Sequence, residues 1–182
     1  MSDYTRITRK CRVSHLRPEL RKAIQEYAQS HGLDDLEAET HSFPAETHSV
    51  PAKTISCYET TSERKSAGKL TSWLDGRSDT VTHVGILLTP DRLIWARWGD
   101  QSGALLTAAD LNEIRVKVYA SILANDAGLE VYGFIGDSKS RVRGYIGMES
   151  AAIAQEFCDE IRQAIDKVNP PVKRKLFGFL GR

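Results

Sequence analysis

Catalysis requires a nucleophile, or a general acid and base, gathered at one place, and this 182-residue chain offers few groups of that kind. Its three cysteines, Cys11, Cys57 and Cys158, are odd in number, widely separated and without C-x-x-C spacing, so they point to neither zinc nor redox chemistry. Cys57 on an apolar strand and Cys158 beside a helical stripe read as core thiols, and a reducing cytoplasm is the expected setting. His41 and His48 lie in a tandem repeat with Glu39 and Glu46, residue types that bind metals, but a linker does not hold ligands at fixed geometry. His83 stands in an apolar strand and reads as a packed histidine. Walker, G-x-G-x-x-G, G-x-S-x-G and H-E-x-x-H patterns are all missing. The expectation is a non-catalytic protein with no metal and no cofactor; an enzyme, the minor alternative, would need a polar cleft around His83.

Binding chemistry is better represented. Lys173, Arg174 and Lys175 precede Leu176, Phe177, Phe179 and Leu180, and exposed aromatics at a chain end usually have a destination. Basic residues near an anionic membrane surface gain about 1 kcal/mol each, so weak, salt-sensitive membrane attachment is one reading of this tail. A groove on a protein or peptide partner, docking onto its own domain, and a solvated tail are the others. Trp95, Arg97 and Trp98, with Tyr132, Phe134 and Tyr145 near Arg141 and Arg143, resemble in composition a single-stranded nucleic-acid platform. Against it, Trp95 and Trp98 project to opposite faces of one strand, and residues 52–169 hold 16 acids against 14 bases. No nucleic-acid partner is expected.

The elements that position these groups follow from periodicity. Length and composition, 41% hydrophobic and 27% charged, fit one compact core with flanking segments. The near-balanced net charge of +1 conceals two basic ends and a centre that is not basic. Residues 1–33 form a basic segment with a helix over Pro18–His31, where Leu16, Leu20, Ala23, Ile24, Tyr27 and Ala28 share a face, Pro18 suits the first turn and Gly32 the residue beyond the end. Residues 34–52 repeat Ala-Glu-Thr-His-Ser with a proline every seventh position and read as an acidic extended linker.

From Lys53 to Met148, short alternating runs are divided by turn signals every 8 to 12 residues, an all-β pattern. It predicts about seven antiparallel strands: 53–60, 80–88, 92–98, 104–107, 113–119, 128–135 and 140–147. Residues 63–77 form a polar insertion in which Leu70, Trp73 and Leu74 could make a helical turn. Val84, Ile86, Leu87 and Leu88 predict a strand covered on both faces, whereas Ile114, Val116 and Val118 alternate with wet positions. A last amphipathic helix, 150–168, presents Ile153, Phe157, Ile161, Ala164, Ile165 and Val168 as one stripe before Pro170-Pro171 stops it. No run is read as a membrane-spanning helix or a secretory signal.

Strands in a run followed by one amphipathic helix, with Thr89-Pro90-Asp91-Arg92-Leu93-Ile94 as a strand-joining turn and Leu111-Asn112-Glu113-Ile114-Arg115-Val116 entering the next strand, resemble the bacterial pleckstrin-homology (PH) or GRAM-type domains. The resemblance covers about residues 53–168. It implies a mainly β (α+β) fold, a PH-like antiparallel barrel capped by the C-terminal helix, here with an additional N-terminal helix, and a tail over 170–182. It also implies a non-catalytic module docking a lipid headgroup, a peptide or a neighbouring domain. Phosphoinositide-binding members use basic residues between the first two strands; here the candidates are Arg64, Lys65 and Lys69, whose attraction Glu59, Glu63, Asp75 and Asp79 offset.

Overall fold

A computed structural model describes residues 4–33, 54–64, 79–121 and 126–170. The mainly β expectation holds, and its detail changes. The described strands are β1 (Tyr4–Lys10), β2 (Ser56–Arg64), β3 (Val81–Leu88), β4 (Arg92–Gly99), β5 (Gly103–Asp110), β6 (Ile114–Ser121), β7 (Asp126–Gly133) and β8 (Val142–Met148); β2–β8 are the seven expected between 53 and 148, and β1 is additional. They form two antiparallel sheets, β1-β2-β3-β4-β5 and β6-β7-β8, which do not close into a barrel. The break has a local cause. After β5 the chain makes one 3-10 turn at Leu111–Glu113, its N–H at Leu111 donates to the Asp91 carbonyl at 2.8 Å, and the Leu111 side chain is fully buried. β6 therefore starts in the second sheet instead of pairing with β5.

Helix α1 (Pro18–Ser30) and helix α2 (Ala151–Val168) occupy different sides of the large sheet. Pro18 stands at the first turn of α1, and Gly32, at φ +63°, takes the left-handed conformation that ends it. Leu20, Ile24 and Ala28 pack with Leu16, Cys57, Leu87, Ile94, Ala96 and Ala108 to form one core. Gly85 in β3 permits this approach, since a Cβ there would lie 3.3 Å from a Leu16 methyl and 3.5 Å from one of Leu20.

Ser150 caps α2 by accepting from the Ile153 N–H, and Ala154, Phe157, Cys158, Ile161 and Ala164 are buried in the second core. That core joins Tyr58, Ile86, Leu88 and Leu93 of the large sheet to Ile114, Leu129, Val131 and Ile146 of the small one. Val168, counted in the predicted stripe, sits at the helix end and is exposed. β3 serves both cores, with Leu87 on the α1 side and Ile86 and Leu88 on the α2 side, as its unbroken apolar run requires. The small sheet keeps a wet face where Lys117 and its cross-strand partner Glu130 form a 2.8 Å ion pair.

Residues 4–10, read from sequence as part of a basic segment, add β1 to the sheet beside β2. Its charges are matched across the fold: Arg6 by Asp126, Arg9 by Glu59, Lys10 by Glu160. Thr8 donates its N–H to the Glu149 carboxylate at 2.9 Å, and its hydroxyl accepts from the Glu149 N–H at 2.9 Å. Among the described residues no helix is long and apolar enough to cross a membrane.

Candidate functional site

Of the basic residues singled out for anion binding, Arg64 ends β2, where its N–H donates to the Thr80 carbonyl at 2.9 Å. Glu63 and Arg64, the first residues of the insertion expected over 63–77, instead end β2, while the rest of it with Lys65 and Lys69, the histidine repeat, and the tail with Lys173, Arg174, Lys175, Leu176, Phe177, Phe179 and Leu180 lie outside the described residues. Among the described residues no cluster of three or more His, Cys, Asp or Glu side chains could hold a metal. Trp95 and Trp98 do part to opposite faces of β4, Trp95 against the α2 core and Trp98 against the α1 core.

His83 lies on the α1 side of β3, beside its register partners Thr61 and Trp98. The Arg17 guanidinium is 3.1 Å from Nε2 and stacks 4.4 Å above the Trp98 ring. An arginine only donates, so Nε2 accepts and Nδ1–H faces the Thr61 hydroxyl at 3.0 Å. This environment favours the neutral ring. Burial lowers the imidazole pKa most, the Arg17 charge lowers it further, and Glu59 and Glu19 oppose both.

Because the folded pKa lies below the unfolded value of about 6.5, the stability His83 contributes is complete above that pH. It falls as pH drops towards the folded value. A His83→Gln variant should therefore show a flatter decline of melting temperature between pH 7 and 5 than the parent, measured by circular dichroism. An equally steep decline would place the titration in other groups.

Strand β5 offers a different arrangement. It has β4 on one side and, among the described residues, no strand on the other. From Gly103 to Ala109 it carries no charge, and Leu105 is 66% exposed. The opposite edge, β1, carries Arg6, Arg9 and Lys10, and its Thr8 is engaged by Glu149. Charged side chains and covering groups are the usual means of blunting a sheet edge against further pairing. β1 has them, and among the described residues Gly103–Thr107 has neither charged side chains nor a paired strand on its outer side.

A cleft of about 350 Å³ adjoins this edge, lined by Tyr27 of α1 and His31 just beyond its end, Leu106 and Thr107 of β5, and Phe134 and Asp137 of the loop after β7. The Gly136 N–H donates to the Ala108 carbonyl at 2.7 Å, which fixes that loop to the far end of β5. Arg92 also lines the cleft, with Nη1 donating to the Tyr27 hydroxyl at 2.9 Å and Nε 3.2 Å from Asp110. Burial would lower its pKa, but the Tyr27 hydroxyl, Asp110 and Asp91 outweigh that and leave it raised. The guanidinium is thus a fixed, internally paired charge. Glu113 and Asp137 leave the lining acidic on balance.

No family model, curated protein or solved structure matches this chain.

His83 is not among the residues that line the cleft. The strand expected over 104–107 extends in the structure to Gly103–Asp110. The signal available was the uncharged run Gly103–Ala109, which is unusual for a strand with a solvent-facing edge.

Proposed function

We propose that the chain is a non-catalytic, PH-like binding module whose β5 edge takes up an extended segment of a protein partner. The run of antiparallel strands β2 to β8 followed by α2 supports the PH-like reading. The observation that carries the docking reading is the contrast between the two edges of the large sheet, β1 charged and engaged, β5 uncharged over Gly103–Ala109 with Leu105 exposed beside a cleft. Strand addition draws affinity from main-chain hydrogen bonds and selectivity from alternate side chains. The incoming strand would place one apolar or aromatic side chain against Tyr27 and Phe134, and the Glu113 and Asp137 carboxylates favour a basic residue next to it.

Selection of peptides from a random display library on the intact chain tests this reading. The expected products are alternating apolar sequences containing a basic residue, which slow amide exchange along Gly103–Thr107. Leu105→Asp, an exposed position whose change leaves the cores intact, should weaken such a peptide at least about tenfold, the equivalent of about 1.4 kcal/mol. Protection confined to another element would overturn the assignment. So would sedimentation with anionic vesicles and no selected peptide, which would move the docking function to a membrane surface.

A further inference from the structure

Cys11 and Cys57, 46 residues apart in sequence, meet in the fold. Cys11 follows β1 directly, and its N–H donates to the Cys57 carbonyl at 2.9 Å, extending the register in which Lys10 faces Tyr58. Their Sγ atoms are 3.8 Å apart. Cys57 is 3% exposed beneath α1, whereas Cys11 is only partly buried at the margin of the same core. Residues directly opposite on antiparallel strands have Cα separations of about 4.5–5.5 Å, within the range of about 4.4–6.8 Å that a disulfide spans. Side-chain rotation is then enough to bring the sulfurs together.

We propose that Cys11 and Cys57 form a redox-active dithiol, oxidised by a low-molecular-weight disulfide, with Cys11 the entry thiol and Cys57 the resolving thiol. The Cys11 thiolate attacks one sulfur of the small disulfide, forming a mixed disulfide and expelling one small thiolate, which takes the Cys57 proton. The Cys57 thiolate then attacks the Cys11 sulfur, closes the intramolecular disulfide and expels the second small thiolate, which takes the proton that Cys11 gave up. Two electrons pass from the protein to the small disulfide, and two small thiols leave.

The environment divides these roles. The Cys57 hydrogen bond holds Cys11 below the ordinary thiol range, against the opposing effect of burial. The same bond, and then burial, push Cys57 up. Once Cys11 is in the mixed disulfide it no longer has a thiolate to accept that bond, which frees Cys57 to ionise. Cys158 provides an internal reference, fully buried in the other core with its pKa raised by burial. The disulfide would tie the end of β1 covalently to β2.

Incubation of the reduced, intact chain with oxidised glutathione tests the proposal without denaturant. The expected result is a fall from three free thiols to one, no change in oligomer size, and a Cys11–Cys57 link in peptide mass spectra. Cys57→Ala should stop at one glutathione attached to Cys11. Cys11→Ser should react at least about tenfold more slowly than the parent, since the remaining thiols lack thiolate character and access. Retention of all three thiols by the folded chain, a link involving Cys158, or a disulfide between chains would each overturn it.

Discussion

Phe157→Ala should lower folding stability by about 3–5 kcal/mol, the range for removing a buried phenylalanine. The Phe157 side chain of α2 is fully buried, and its ring lies 4.6 Å from that of Tyr58 in the large sheet. Around it the same core gathers Leu88 and Leu93 from the large sheet with Leu129, Val131 and Ile146 from the small one. The sheets do not close on each other, so α2 is the element whose apolar stripe fills the space between them. Truncating its largest side chain leaves a cavity in a core shared by α2 and strands of both sheets, which cannot all relax into it. Urea unfolding followed by circular dichroism measures the loss. Phe157→Leu should recover a large part of it, because volume-conserving apolar exchanges are tolerated best. A cost below about 1 kcal/mol for the alanine variant would mean that the two sheets do not meet around this ring.

The second large effect concerns the other side of the large sheet. Ile24→Ala should cost about 2–5 kcal/mol, because Ile24 is fully buried between α1 and strands that include β3 and β4. A 13-residue helix is marginal alone in water, so α1 exists by virtue of this contact. If α1 folds with the sheet as one unit, the unfolding curve stays a single transition with an unchanged slope and a lower midpoint. A separate early transition, with the main midpoint in place, would show instead that α1 detaches while the sheets persist. Both Cys57 and Cys11 pack in this α1 core. The same variant should accordingly raise the reactivity of Cys57 towards alkylating reagents, read as the fraction modified in the folded chain.

Helices and most strands were legible in the sequence because their signals are local. Pro18, Gly32 and a 3.6-residue stripe delimit α1, Ser150 and the double proline delimit α2, and period-two alternation marks the strands of the small sheet. The run Val84–Leu88 foretold a strand covered twice, and the two cores on either side of β3 account for it.

β1 left no such mark. In Tyr4-Thr5-Arg6-Ile7-Thr8-Arg9-Lys10 the one strongly apolar residue, Ile7, is 64% exposed, while the buried position is Thr8. Its place depends on partners far along the chain: Glu59, Asp126, Glu149 and Glu160.

Local chemistry therefore determined which segments coil and which extend, and that no familiar catalytic motif is present. Tertiary structure alone decided that β1 joins the large sheet, that the two sheets do not close into a barrel, and that Cys11 and Cys57 face one another. The reason is the range of the interactions: propensity and apolar periodicity act between residues a few positions apart. The hairpins from β3 to β5 follow from short turns, but the place of β1 and the proximity of the two thiols are set by pairings between residues 46 or more positions apart, and no local pattern encodes those.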